Sequence, residues 1–224
     1  ILANDFPALR TYTDTAKACA GAGADFKVNH TSEHSNIAMA ALSANPAEYS
    51  ARIGANSSIV PLMNEGLIRP MDDLVAKYGK DLQKSQLITI DGKVMAVAFM
   101  ANTQHLYYRE DILNELGIPV PKTYEEVLAA AGKMRSSGKL LNPYAAAYKA
   151  GWNLAEEFVN MYLGYGGEFF KSGSAEPNIN NSKGVKTLRM LKKLAGYSNP
   201  DFLTHDSEAI KVEWEAGKVG IMTL

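Results

Sequence analysis

The 224-residue chain has a single cysteine, Cys19, which excludes an internal disulfide and a cysteine-rich metal site. Its four histidines, His30, His34, His105 and His205, show no HxxxH or HExxH spacing, so no zinc site is expected. No apolar run approaches the roughly 18 residues of a membrane span. Neither sign of charge is in excess: a net charge of −1 offers nucleic acid or an anionic membrane no electrostatic hold. There is no GxSxG. The glycines of "AGAG" at 20–23 follow a helix and precede a strand, the reverse of a phosphate loop's order. The adjacent acids Asp72-Asp73 and Glu125-Glu126 stand at helix starts, where capping and the helix dipole account for them. No catalytic group, metal or cofactor is therefore expected. Cys19 lies in a helical pattern with Leu9, Tyr12 and Ala16 on one side, and is read as a small buried hydrophobe.

What is present is an ordinary globular balance, 46% apolar and 21% charged, over a length that suits one large domain or two small ones. The first hundred residues alternate strand and helix. "ILAND" is a short strand whose Asp5 can cap a helix from Phe6-Pro7 to a stop at Gly21 and Gly23. "DFKVNH" is a strand and "NIAMAALSA" a helix that ends near Asn45-Pro46. "YSARIGA" is a strand, and Asn56-Ser57-Ser58 opens a helix through Met63. A turn and a short helix capped by Asp72 or Asp73 follow. "IDGKVMAVAFM" is a hairpin turning at Asp91-Gly92. This order predicts an α/β layer with a mostly parallel sheet.

After Tyr108 helices dominate. "REDILNELG" stops at Gly117, and Thr123 with Glu126 reads as a capping box. "NLAEEFVNMYLGYGG" carries Leu154, Phe158, Met161, Tyr162 and Tyr165 at helical spacing. "NSKGVKTLRMLKKLAG" places Val185, Leu188, Leu191, Leu194 and Ala195 on one face. "DSEAIKVEWEAG" is a capped helix stopped by Gly217, before a last strand. The aromatics Tyr162, Tyr165, Phe169 and Phe170 read as core, and Trp214 as packing. The texture changes near 102–108, which divides an N-terminal lobe, 1–103, from a helix-rich C-terminal lobe, 104–224. The stretch "AFMANTQHLYY", 98–108, starts and ends like a buried strand but holds four polar residues, Asn102 to His105. A strand that leaves one core, crosses a wet cleft and enters a second accounts for them, since buried polar side chains need partners.

Polar groups gather where strands end and helices begin, which in open α/β sheets is where ligands bind. They are Asn4-Asp5, Asn56-Ser57-Ser58, Asn102 to His105, and the loop from Lys149 to Asn153, which includes Trp152. Capping alone explains Asn4-Asp5 and Asn56-Ser57 equally well. Trp152 is either a core anchor or a flat platform for a sugar ring, with amides, a carboxylate and an ammonium supplying hydrogen bonds. Such a set suits a neutral, polyhydroxylated ligand.

The run "DGKVMAVAFMANTQHLYYREDILNELGIPVPKTYEEVLAAAGKM" resembles the extracellular solute-binding proteins of bacterial ABC importers, family 1, the carbohydrate-binding type. "ANSSIVPLMNEGLIRPMDDLVAKYG", "KAGWNLAEEFVNMYLGYGGEFF" and "EWEAGKVGIMTL" extend the resemblance along the chain. It implies a periplasmic-binding-protein-like (type II) two-lobed α/β fold with a crossover strand near 98–108. It implies a monomer, periplasmic or extracellular and membrane-tethered, that captures a sugar or polyol between its lobes, delivers it to membrane permease subunits, and catalyses nothing. The positions it assigns to ligand are Asn4, Asp5, Asn56, Ser57, Asn102, Gln104, Lys149 and Trp152, with His34 and Tyr144 as secondary candidates. Family chains are usually longer, and both ends here read as cut inside strands, so the fold is expected to be incomplete and truncated at the C-terminus. Two alternatives stay open. One is a cleft enzyme acting on carbohydrate, which needs two facing carboxylates where only Asp5 is available. The other is a sensor that presents its closed form to a chemoreceptor.

Overall fold

The computed structural model describes residues 1–21 and 25–224. They divide into two compact units, Ile1–Ala101 and Asn102–Leu224.

The first unit is built on a short parallel sheet. Strand β1 (Leu2–Ala3) pairs in parallel with β2 (Asn29–His30). On its other side Leu2 bridges Arg52, through Leu2 N–H to the Ala51 carbonyl and Ile53 N–H to the Leu2 carbonyl. The strands expected at "DFKVNH" and "YSARIGA" are thus reduced to two residues and a single bridge. Leu2 and Ala3 are fully buried, which is what a central parallel strand requires. Helix α1 (Pro7–Ala18) follows β1. Its N-cap is Phe6, with Pro7 in the first turn, where a missing N–H costs nothing. Asp5 does not cap it; its carboxylate grips Arg10 at 2.6 and 2.8 Å instead. The helix ends at Cys19, whose N–H reaches Ala16, so it stops short of Gly21, and Gly23 lies outside the described residues. Cys19 is exposed rather than buried: Leu9 and Thr13 take the inner face, and the apolar stripe has run out one turn earlier.

Helix α2 (His34–Ser43) starts two residues before the predicted "NIAMAALSA". A 3₁₀ turn, Asn56–Ser58, leads into α3 (Ile59–Asn64). In α4 (Asp72–Tyr78) neither acid caps: Met71 is the N-cap, Asp73 pairs with Arg69 at 2.9 Å, and Asp72 accepts from the Val94 N–H. The hairpin is as predicted. Strands β3 (Leu87–Ile90) and β4 (Lys93–Val97) pair antiparallel, and Asp91 and Gly92 both have positive φ, 49° and 75°. That geometry matches the twist of the flanking strands.

The second unit is helix-rich around a three-stranded sheet. Strand β5 (Leu106–Tyr108) pairs antiparallel with β7 (Ile221–Thr223), and β6 (Tyr144–Ala145) pairs parallel with β7 from the other side. The expected crossover strand near 98–108 is regular only over Leu106–Tyr108. The reason is pairing: β7 offers partners to Leu106–Tyr108, and His105 and Leu224 extend that ladder by one residue. Phe99 and Met100 are exposed.

Helices α5 (Glu110–Glu115), α6 (Tyr124–Ser136), α7 (Trp152–Gly164), α8 (Ser182–Ala195) and α9 (Ser207–Glu215) enclose the sheet. Thr123 caps α6 by accepting the Glu126 N–H, but Glu126 returns its bond to Lys122, one residue earlier than a capping box has it. Asp206 caps α9. The apolar face of α8 is rotated from the predicted one. Thr187, Met190, Leu191 and Leu194 are buried, while Val185 and Leu188 face out. Of the four predicted core aromatics, Tyr162 is fully buried, and Phe170 is exposed. Trp214 packs as expected, edge-on to Tyr107.

Candidate functional site

Five of the predicted positions fall in the first unit, in loops at the carboxyl end of its parallel strands. Asn4 folds its side-chain oxygen back onto the Asp5 N–H at 2.8 Å, an arrangement that fixes the loop after β1. Its carbonyl accepts from His30 Nδ1 at 2.9 Å, and His30 Nε2 lies 3.0 Å from Thr13 Oγ1. His30, which the sequence did not single out, thereby ties the ends of β1 and β2 to helix α1. Asp5 is committed to Arg10, whose hydrogen bonds hold its carboxyl below the usual range. His34 begins α2. Burial, and then the nearby Arg52 charge, hold its imidazole below its ordinary value, and its Nδ1 is enclosed without a partner. Asn56 and Ser57 stand exposed in the 3₁₀ turn, and the Ser58 hydroxyl donates back to the Ala55 carbonyl at 2.6 Å.

Within this unit lies a cavity of about 590 Å³, lined among others by Arg52, Gly54, Asn56, Ser58, Tyr12 and Phe99. Tyr12 and Phe99 stack, 4.4 Å between ring centroids. Arg52 was not flagged by the sequence. Its polar surroundings arise only once Leu2 and Arg52 become neighbours across the sheet.

The other five positions fall in the second unit. Asn102 is exposed ahead of β5, and the run that follows is half spent internally. Thr103 Oγ1 and His105 Nε2 are 2.7 Å apart. Gln104 Nε2 donates to Glu157 Oε1 at 2.6 Å. Glu157, on α7, is the main residue that sequence reading missed. It is 3% exposed, and burial pushes its carboxyl up to about 8, against opposing hydrogen bonds from Thr223, the Ala147 backbone and Gln104. Thr223 Oγ1 lies 3.2 Å from Glu157 Oε2 and 2.9 Å from the Tyr144 hydroxyl. Tyr144 is therefore a core residue, its side chain fully buried and its hydroxyl bonded to Thr223, and it presents no surface to a ligand. The Tyr148 hydroxyl is buried nearby with no hydrogen-bond partner among the described residues. The signal for Glu157 was present: positions 154, 157, 158, 161, 162 and 165 form one helical stripe, apolar except for that glutamate.

Lys149 and Trp152 follow β6. The Lys149 ammonium pairs with Asp206 at 3.1 Å. Trp152 is not in a loop: it opens α7, after Gly151, whose φ of 104° lets the chain turn sharply into the helix. Its side chain is 61% exposed. A large indole left that open at a helix start is not a core anchor.

The chain belongs to the bacterial extracellular solute-binding protein family, whose model matches residues 33–223. Among curated proteins it is similar to a probable ABC transporter-binding protein of Deinococcus radiodurans, 27% identical over 196 residues, covering 79% of this chain and 46% of that protein. Two solved structures share its fold. One is an ABC transporter solute-binding protein of Agrobacterium radiobacter in complex with ribitol. It has a TM-score of 0.84 and 21% identity over 99% of this chain and 58% of the other. The second is a solute-binding protein of Agrobacterium vitis with bound D-mannitol, TM-score 0.79, 21% identical, over 100% of this chain and 57% of the other. The fold is thus of the type II periplasmic-binding-protein class, and the chain spans less than two thirds of the length of these relatives.

Proposed function

We propose that the chain is the ligand-binding part of an ABC importer's solute-binding protein, working outside the cytoplasm, and that it captures a sugar or polyol for a membrane permease. Trp152 carries the reading: an exposed indole at the start of a helix, three residues after the Lys149 that pairs with Asp206, offers the apolar face that a polyhydroxylated ligand needs. The ribitol and D-mannitol bound by the two structural relatives support that ligand class. We assign Asn4, Asn56 and Ser57 to the ligand from the first unit, and Asn102, Lys149 and Trp152 from the second. A ligand shifts a protein between forms only by its differential affinity for them, and such a shift is what a permease can read. The working form is read as a monomer that binds no nucleic acid. An enzyme would need two carboxylates across one bond. Asp5, the one acid among the candidates, is held by Arg10.

Calorimetry and thermal shift against pentitols, hexitols, monosaccharides and disaccharides test this. A binding ligand raises the melting temperature by mass action. Trp152→Ala is expected to weaken that ligand at least tenfold, about 1.4 kcal/mol, with an unchanged melting temperature in its absence. Unchanged affinity removes Trp152 from the site. Release of free sugar from a glycoside would replace the transport reading with the enzymatic one.

A further inference from the structure

Among the described residues, half-buried Arg52 is the arginine of the first unit that has no acceptor. Arg10, Arg69 and Arg109 each hold a carboxylate, and Arg135 donates to the Leu141 carbonyl beneath the Tyr197 ring. Arg52 is enclosed enough that burial lowers its pKa, yet among the described residues it has no ion pair, and its Nε is buried with no hydrogen-bond partner. A guanidinium has five donors and cannot neutralise itself by losing a proton. Leaving it desolvated and unpaired is costly. Folded proteins keep such a group where something else completes it.

The surroundings fit an oxyanion. Arg52 lines the 590 Å³ cavity with Asn56 and Ser58. Gly54 keeps the approach open: a Cβ there would come within 3.0 Å of Arg52 Cζ, 3.1 Å of Ser58 Oγ and 3.2 Å of Arg52 Nη2. His34, whose enclosed Nδ1 also lacks a partner, feels the Arg52 charge. No carboxylate is among the causes that shift either residue. A planar fork of donors beside an amide is an arrangement that recognises carboxylate or phosphate.

We infer that Arg52, with the exposed Asn56, forms a subsite for an anionic oxygen group on the ligand, so that the preferred solute is a sugar acid or a polyol phosphate rather than a neutral polyol. The inference rests on the proposed solute-binding role and narrows it.

The test compares matched sets in calorimetry: ribitol, D-ribonate and ribitol 5-phosphate, then D-mannitol, D-mannonate and mannitol 1-phosphate. The acidic member of a set is expected to bind at least tenfold more tightly than its polyol, and the carboxylate and phosphate arms identify which group is taken. Arg52→Met should bring the acid down to the wild-type affinity for the polyol. Arg52→Lys, which keeps the charge and loses the fork, should fall between. Because the guanidinium is unpaired, neither variant is expected to melt lower than the wild type. Polyols that bind as tightly as their acids, with Arg52→Met without effect, would overturn the subsite and leave the solute-binding role standing. If no member of either set binds, titration of inorganic phosphate against the Arg52 Nε–H signal in NMR decides separately. A saturable shift retains the anion site, and no shift discards it.

Discussion

Glu157→Gln is expected to make the second unit more stable at pH 9 and to remove most of its loss of stability between pH 5 and pH 9. The carboxyl has a folded value of about 8 against an ordinary value of 4.5. Between those two pH values the folded protein holds a proton that the unfolded chain has already released. Unfolding therefore gives up a proton, and stability falls as pH rises through that window; above pH 8 the full penalty is present. The difference corresponds to on the order of 5 kcal/mol for this one group. Glutamine keeps the neutral form's bonding. Its oxygen accepts from Gln104 and its amide donates to Thr223 Oγ1, two of the three partners that Glu157 has now, the third being the Ala147 backbone. Of the other groups around it, the hydroxyls of Tyr124, Tyr144 and Tyr148 all have pKa values raised above 10 and stay neutral through the window, and burial raises the carboxyl of Glu156. Both tryptophans, Trp152 and Trp214, lie in this unit, so urea unfolding followed by their fluorescence at pH 5, 7 and 9 measures it directly. Parallel pH profiles for wild type and variant would show that the carboxyl does not carry the effect.

Leu194→Ala should destabilise the same unit by about 3 kcal/mol or more, as expected for a leucine deleted from a packed core, while Leu188→Ala should change it by less than about 0.5 kcal/mol. The two leucines sit on one helix, α8, and differ in surroundings: Leu194 is fully buried in the main cluster, and Leu188 is 59% exposed. The inner face is completed instead by Thr187 and by Gly184, where a Cβ would meet the Ile179 carbonyl oxygen at 2.1 Å. Equal losses for the two leucines would contradict this orientation of α8.

That pair also marks how far the sequence could be read. The spacing of α8 located the helix, but a stripe of leucines and valines about 100° wide does not say which edge meets the core. The same limit misplaced Cys19, at the frayed end of a helix whose inner face belongs to Leu9 and Thr13. It hid Glu157, because a lone acid in an apolar stripe looks like an exposed edge until Gln104 and Thr223 arrive beside it. For the candidate site, the sequence named the loops and Trp152, whose exposure only the structure shows. It did not single out Arg52 and included Tyr144, whose hydroxyl is used in the core.

The sequence by itself determined what depends on neighbours a few residues away. The Asp91-Gly92 turn, the Thr123 and Asp206 caps and the turns at Gly117 and Gly217, φ 60° and 70°, all follow from backbone preferences and hydrogen bonds spanning four residues or fewer. The tertiary structure alone decided the short reach of the first unit's strands, the isolation of Arg52 and the burial of Glu157. Each of these turns on pairing or desolvation by distant segments: Gln104 is 53 residues from Glu157 and Thr223 is 66. A charge is costly or cheap according to what surrounds it, and the fold supplies those surroundings.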